Sequence, residues 1–270
     1  MYSNKNGYRE QVMNGGMDAL FDPNMRAERQ RPDMPTTEGI EYPRASSWAI
    51  LKLAKLLDDN LGRQLFHVFL FDSLAEENLN FHDAVESMRK LKGSERSAFA
   101  KEIIEKYMAT INLSAPSAIK IKESAASGDV ELTDWQPALK EVKRLLENDQ
   151  LPRFRRSDTY LKYLESIMPR SYAEKWATSF EALLGNHVGR YHFRLFLRSI
   201  RAEENLRFWD AVVEFRSTRN KSQSMQNQAM DIVGTFLTEG SANEVLRNDP
   251  YVRFLQSSEY LGLLEKLKEG

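Results

Sequence analysis

The stretch "RAEENLRFWDAVVEF" at residues 201–215 repeats, with few changes, the earlier stretch "LAEENLNFHDAVESM" at residues 74–88. Matching residues of the two stretches, such as Asn78 and Asn205, are 127 positions apart. A solenoid repeat has a period of roughly 20–50 residues, so a period this long indicates duplication of a whole domain.

Both stretches have the apolar spacing of an α-helix. In each stretch, three apolar residues fall at positions i, i+4 and i+7, which lie on one face of a helix. These residues are Phe81, Val85 and Met88 in the first stretch and Phe208, Val212 and Phe215 in the second. The chain has no long alternating β pattern, so the sequence predicts an all-α fold.

The repeat extends on both sides of these helices. The Gly-Arg pair at residues 62–63 recurs at residues 189–190, again 127 positions later. Towards the end of each copy, "RFRRSDTYLKYLE" (153–165) matches "RFLQSSEYLGLLE" (253–265), but here the offset is 100. The change of offset indicates that the second copy lacks residues in its middle.

The missing interval contains a predicted core helix of the first copy. Tyr107 and Asp149 are 42 positions apart, whereas Phe236 and Asp249 are 13 apart, so the second copy lacks 29 residues here. The first copy has "DWQPALKEVKRLLEN" (134–148), whose leading aspartate is the predicted N-cap. Its apolar stripe consists of Trp135, Ala138, Leu139, Val142, Leu145 and Leu146. Burial of each large side chain contributes about 1.5–3 kcal/mol, so the second copy is predicted to be marginally stable unless it borrows packing.

The composition excludes several kinds of site. The chain has 270 residues, a net charge of −1 and no cysteine, which argues against a nucleic-acid partner and excludes disulfides and thiolate metal sites. It has no P-loop, dinucleotide-binding, metalloprotease or EF-hand motif, and its four histidines lack ligand spacing. We therefore expect no cofactor, no metal and no nucleic acid, in an intracellular protein.

Two kinds of polar pair occur in both copies and are candidate contact residues. They are Glu77 with Asn78 and Asp149 with Arg153 in the first copy, and Glu204 with Asn205 and Asp249 with Arg253 in the second. The helix macrodipole favours acids in a first turn, but asparagine is a poor helix former, so its recurrence needs another reason. The Asp-Arg spacing fits an i,i+4 ion pair, a partner contact, or both.

A cluster of basic residues surrounds the later pair of the first copy. It consists of Lys140, Lys143, Arg144, Arg153, Arg155 and Arg156. Such a cluster fits a solvated face of the protein, and it also fits weak contact with anionic lipid.

Taken in order, these residues resemble the regulator of G-protein signalling (RGS) domain, through the pattern W…L…G…F…FL…EEN-L-x-F-W…D-x-x-x-R-F…S-x-x-Y-L. Copy one, residues 47–168, resembles a complete domain, and copy two, residues 169–270, has both ends of the pattern without its middle. The resemblance implies tandem all-α bundles, the first of about nine helices and the second lacking a middle segment. Residues 1–46, rich in Asn, Arg, Gly and Pro, are predicted to form a disordered tail.

The resemblance also implies a function. Members of the family bind the switch regions of Gα subunits and accelerate GTP hydrolysis without donating an arginine, because Gα carries its own. They hold the switches in their transition-state shape, which fits a chain with no active site of its own. The leading hypothesis is thus a cytoplasmic GTPase-activating protein that reaches the plasma membrane through Gα in its GTP or transition-state form. The alternative is a scaffold that binds or sequesters Gα, or another protein, without accelerating hydrolysis.

Site residues follow from the resemblance by position. Glu77 and Asn78 match the first contact pair of the family, with Asn78 expected to be exposed at a helix end, and Leu145, Asp149 and Arg153 match the later contact helix. The matching residues of copy two are Glu204, Asn205, Asp249 and Arg253.

Three departures from the family pattern weaken the case for full acceleration. Copy one has His82 where the family usually has tryptophan, and both copies have alanine, Ala75 and Ala202, where it has serine or threonine. The asparagine that reaches the catalytic glutamine of Gα aligns near Lys120, through an insertion, and copy two lacks this segment. Binding of Gα is therefore a firmer expectation than full acceleration.

Overall fold

The computed structural model of the chain describes residues 30–217, 227 and 249–267. The regular structure of these residues is helical throughout, with no β-strand, which confirms the predicted all-α class. The α-helices are α1 (Tyr42–Ser47), α2 (Leu53–Asp58), α3 (Asn60–Asp72), α4 (Glu76–Met88), α5 (Gly93–Tyr107), α6 (Ala115–Ser127), α7 (Leu132–Leu145), α8 (Leu151–Arg155), α9 (Asp158–Ile167), α10 (Arg170–Glu174), α11 (Phe180–Gly185), α12 (His187–Ser199), α13 (Glu203–Ser217), α14 (Pro250–Leu255) and α15 (Ser258–Lys266). A π-helical turn, Leu146–Gln150, follows α7, and a 3-10 turn, Lys175–Ala177, follows α10.

The chain divides into two compact units. Of the described residues, unit 1 contains 30–36 and 47–160, and unit 2 contains 37–46 together with those from 161 onward. The division falls inside α9, so the final turns of that helix belong to unit 2.

Unit 1 has an aromatic core at the expected positions. The ring centroids of Phe66 and Phe154 lie 5.2 Å apart, and those of Phe154 and Tyr160 lie 4.8 Å apart. In α7, Trp135, Ala138, Leu139 and Val142 are all buried, as the apolar stripe predicted. Helix α7 begins earlier than predicted, at Leu132, so Asp134 lies in its first turn rather than at its N-cap.

Unit 2 repeats the same core with its own residues. Phe193 and Phe254 have centroids 5.2 Å apart, and Phe254 and Tyr260 have centroids 5.4 Å apart. Their positions match those of Phe66, Phe154 and Tyr160 in the sequence repeat. The duplication inferred from the sequence is therefore also a duplication of side-chain packing.

The shared Gly-Arg pair has a steric reason. A Cβ atom on Gly62 would lie 2.9 Å from a Leu56 methyl group and 3.1 Å from the Trp48 ring. A Cβ atom on Gly189 would lie 2.8 Å from the backbone oxygen of Leu183 and 3.1 Å from the indole of Trp176. Each unit thus packs a tryptophan against a helix at a position where no larger residue fits.

Residues 30–46 are ordered, so the predicted tail over 1–46 is wrong for this part. Tyr42 is buried in unit 2, with its ring 4.7 Å from that of Tyr172. The side-chain amide of Asn186 donates a 2.8 Å hydrogen bond to the Tyr42 hydroxyl. Ile40 and Ala45 are also buried. These apolar residues stand singly in the sequence, and their partners in unit 2 come much later in the chain. Residues 1–29 lie outside the described part.

A buried histidine joins three helices of unit 2. His192, on α12, has its Nδ1 atom 2.5 Å from Glu259 of α15 and its Nε2 atom 3.0 Å from Glu165 of α9. Burial lowers the pKa of His192, but the two carboxylates outweigh burial and raise it above its ordinary value. The hydrogen bond with His192 in turn lowers the pKa of Glu165. An imidazolium that donates from both nitrogens fits this geometry. Leu65 occupies the matching position of copy one.

The apolar face of helix α13 is less buried than that of its counterpart α4. Phe208, Val212 and Phe215 are half-buried, whereas the matching residues Phe81, Val85 and Met88 are buried. This difference fits the shortened second copy. The stretch "TEGSANEVL" (238–246), which replaces the missing helix in the sequence, lies outside the described residues.

Candidate partner-binding site

Each copy positions its Glu-Asn pair by a turn of the same conformation. Leu74 and Arg201 both adopt left-handed backbone angles, with φ of 55° and 57°. A residue other than glycine pays a conformational cost there, which is typical of positions held in place for function. In each turn the next residue, Ala75 or Ala202, donates its N–H to a carbonyl of the preceding helix at 2.9 Å. The start of α4, and equally of α13, is therefore fixed by the backbone.

Asn78 is buried and not exposed, contrary to the sequence prediction. Its side chain is only 4% accessible. The amide nitrogen of Asn78 donates to the backbone oxygen of Ala75 at 3.3 Å and to Oε1 of Glu77 at 2.8 Å. Among the described residues, its Oδ1 atom has no hydrogen-bond partner. This asparagine therefore orients the neighbouring glutamate and braces the first turn of α4, which explains a poor helix former at this position.

A groove of about 700 Å³ lies beside the end of α7. It brings the predicted contact residues Leu145 and Asp149 next to the loop between α5 and α6. The groove is lined by Asn112, Leu113, Ser114, Pro137, Lys140, Glu141, Arg144, Leu145, Asn148 and Asp149. Asn148 and Asp149 belong to the π-helical turn, a feature that often marks functional sites.

Asn112, which the sequence analysis did not name, also lies at this groove. It is exposed in this loop and lines the groove with Leu145 and Asp149. Lys120, to which the alignment pointed, lies on α6, where its Nζ atom is 3.3 Å from Asp134, and it does not line the groove. One sequence signal marks the loop. Ser114 is followed by Pro116, a pattern typical of a helix start, and this places Asn112 just before α6.

The carboxylate of Glu141 binds the end of the same loop. Its Oε2 atom accepts the backbone N–H of Ser114 at 2.8 Å, and its Oε1 atom accepts the hydroxyls of Ser114 at 2.7 Å and Ser117 at 2.6 Å. Burial raises the pKa of Glu141, but these hydrogen bonds and the charge of Arg144 outweigh burial and lower it. The loop and α7 are thus tied together by an ionised carboxylate.

The predicted Asp-Arg ion pairs are present in both copies. Asp149 and Arg153 approach to 3.6 Å, and Asp249 and Arg253 approach to 3.3 Å. All four side chains are at least half exposed, and an exposed pair of this kind contributes about 0–1 kcal/mol. A contribution to stability therefore does not by itself explain why both copies have these ion pairs. Their role as partner contacts stays a prediction.

The other predicted contact residues differ between the copies. Glu77 is half-buried next to Asn78, whereas Glu204 is exposed and Asn205 is half-buried. In the basic cluster, Arg155 donates to the backbone oxygen of Leu51 at 2.6 Å, and Lys143 donates to Glu86 at 3.4 Å. These two residues bind within unit 1, which leaves fewer basic groups for the proposed lipid contact.

His82 and Trp209, which differ between the copies, both lie next to an aspartate–arginine pair. In copy one, the Nδ1 atom of the buried His82 is 3.1 Å from Asp83, which also pairs with Arg63. In copy two, Arg190 pairs with Asp210 and lies 5.5 Å from the ring of Trp209. At matching positions, His82 thus contacts the aspartate of the pair, whereas Trp209 contacts the arginine.

The described part of the chain lacks two kinds of feature. None of its helices combines the length and apolar character needed to cross a membrane. No group of three or more His, Asp or Glu side chains in this part is arranged to hold a metal ion.

The chain matches a known family and several of its members. The family model described as "Regulator of G protein signaling domain" matches residues 52–163 and 179–245. "Regulator of G-protein signaling rgs-3" of Caenorhabditis elegans is 54% identical over 284 positions, which cover 92% of this chain and 78% of that protein. "Regulator of G-protein signaling 5" of Bos taurus is 33% identical over 144 positions, which cover 50% of this chain and 77% of that protein. The first alignment is longer than the 270 residues of this chain, so the worm protein has residues with no counterpart here, in keeping with a shortened copy. The chain therefore belongs to the family of regulators of G-protein signalling.

Proposed function

We propose that this chain is a GTPase-activating protein for Gα subunits and that copy one carries the activity. The observation that supports this most is the groove of unit 1, where Asn112, Leu145 and Asp149 lie together. The resemblance implies an asparagine that reaches the catalytic glutamine of Gα, and Asn112 is the exposed asparagine of the loop at this surface. With Asn112 in that role, Lys120 is no longer a reason to doubt acceleration.

The mechanism that we propose is differential binding. Gα supplies the nucleotide, the metal ion and the arginine, so the chain needs only to hold the switch regions in their transition-state shape. The braced Glu77–Asn78 turn and the groove provide polar groups on rigid elements, which lose little entropy on binding.

Copy two has a different role under this proposal. It has Glu204, Asn205, Asp249 and Arg253, but the interval that it lacks is the one containing the counterparts of Asn112 and α7. We propose that copy two does not accelerate hydrolysis. The scaffold hypothesis therefore applies to copy two, as a binding or supporting unit.

The test compares two nucleotide states of Gα. We expect the full chain to bind Gα with GDP and aluminium fluoride much more tightly than Gα with GDP alone, and to accelerate single-turnover GTP hydrolysis. The Asp249→Ala variant, changed only in copy two, serves as the control and should accelerate like the unchanged chain. Equal affinity for both states would mean no preference for the transition state and would overturn the proposal.

Asn78→Ala should weaken binding to the aluminium fluoride state and also lower the stability of unit 1. The substitution removes two hydrogen bonds and frees the Glu77 side chain, so we expect a loss of about 1–3 kcal/mol of stability. Titration calorimetry and thermal melts measure the two effects separately. Asn205→Ala, the matched change in copy two, should leave the preference for the aluminium fluoride state over the GDP state unchanged. A loss of stability without any loss of affinity would show that Asn78 is only a structural brace.

A further inference from the structure

The loop that carries Asn112 is held on both sides of this residue. On one side, Ile111 is buried, and its N–H donates to the backbone oxygen of Tyr107 at 2.9 Å. On the other side, Ser114 donates both its N–H and its hydroxyl to Glu141. Two residues, Asn112 and Leu113, are left between these fixed points. An exposed loop residue held in this way loses little conformational freedom when it binds.

Glu141 is well suited to hold the loop. Its two oxygens accept three hydrogen bonds from residues 24 and 27 positions away in the chain. Hydrogen bonds to an ionised carboxylate are roughly twice as strong as those between neutral groups. The carboxylate also lies at the N-terminus of α6, a helix of 13 residues, where the helix dipole favours negative charge.

The same carboxylate belongs to the helix that forms the opposite side of the groove. Glu141 and Leu145 are one turn apart on α7, and both line the groove together with Asn112. A shift of the loop would therefore move Asn112 relative to Leu145 and Asp149. Misplacement of a positioning group by about 1 Å can reduce a rate about a hundredfold.

We propose that Glu141 is a positioning residue for the GTP hydrolysis that Gα carries out in the complex. It fixes the loop of residues 108–114 so that Asn112 meets the nucleotide site of Gα in one conformation. This proposal rests on the proposed function of copy one.

The experiment is a double-mutant cycle on the full chain with Gα. Single-turnover GTP hydrolysis is measured at saturating chain for Glu141→Ala, for Asn112→Ala and for the double variant. We expect Glu141→Ala to lower the maximal rate about tenfold, with a smaller change in the concentration needed for half-saturation. The double variant should be no slower than Asn112→Ala alone, because Glu141 acts through Asn112.

Asp134→Ala is the matched control. Asp134 joins the same two helices through Lys120, at 3.3 Å, but it does not bind the loop. It should therefore leave the maximal rate unchanged. Glu141→Gln keeps an oxygen that can accept the serine hydroxyls, so its rate should lie between those of the unchanged chain and Glu141→Ala. Amide exchange at Ser114 should be faster in Glu141→Ala than in Asp134→Ala.

Each contrary result has a distinct meaning. Losses that multiply in the double variant would show that Glu141 does not act through Asn112, and would overturn this proposal while the proposed function stands. An equal loss in Asp134→Ala would show a general effect of packing between α6 and α7, and would also overturn it. No acceleration by the unchanged chain would overturn the proposed function, and this proposal with it.

Discussion

Replacing Asn112 with alanine is expected to reduce the acceleration of GTP hydrolysis by Gα about tenfold to a hundredfold. The substitution removes a side-chain amide and leaves its partner on Gα unpaired in the transition state, which costs about 1–3 kcal/mol. Asn112 is exposed and lies outside the helices, so thermal stability should remain within about 0.5 kcal/mol of the unchanged chain. Single-turnover hydrolysis and a thermal melt of the same samples measure both quantities.

Lys120→Ala is the control for this assignment. Lys120 is the residue to which the sequence alignment pointed, and it is also exposed. Its exposed pair with Asp134 has little effect on stability, so the variant should fold and accelerate like the unchanged chain. A rate loss in Lys120→Ala together with a normal rate in Asn112→Ala would return the assignment to Lys120.

The fragment of residues 170–270 is expected not to fold cooperatively. The fragment lacks residues 37–46 and 161–169, which belong to unit 2 in the intact chain. It therefore loses the buried side chains of Ile40 and Tyr42 and the bond from His192 to Glu165. Each large apolar side chain contributes about 1.5–3 kcal/mol, which is a large part of the stability of a small unit.

A denaturant melt at low protein concentration tests this expectation. The fragment should show a helical signal without a steep transition and rapid amide exchange in α13. The longer fragment 161–270 regains Glu165, so it should retain more structure, and the full chain should unfold in a steep transition. A single steep transition of fragment 170–270, with the m-value of about 100 residues, would show that the fragment has a complete core of its own.

Periodicity predicted the helices and the core because both depend on local spacing. The buried stripe of α7 and the matched aromatic residues of both units could be found from the sequence alone. The ordered structure of residues 30–46 could not be predicted from the sequence, because Tyr42 is isolated there and its partner Asn186 lies 144 positions away. The bridging role of His192 was missed for the same reason, since Glu165 and Glu259 lie in other helices.

The candidate site was predicted less completely than the fold. The Asp149–Arg153 pair has helical spacing and was found from the sequence. Asn112, which we propose as a contact residue, was not identified because it lies in a loop, where no periodic pattern fixes the alignment. The burial of Asn78 depends on the left-handed turn at Leu74, which is adopted by a residue type that does not favour it.

The order of synthesis has a consequence for unit 2. Residues 37–46 leave the ribosome before the whole of copy one, yet Tyr42 must wait for Asn186, which is translated 144 residues later. At about 5–20 residues per second, this delay is roughly 7–30 s. Copy one can fold during this time, but unit 2 can form only after α12 has emerged. In the cell, the two units therefore mature one after the other, and the second depends on a segment that is made before copy one.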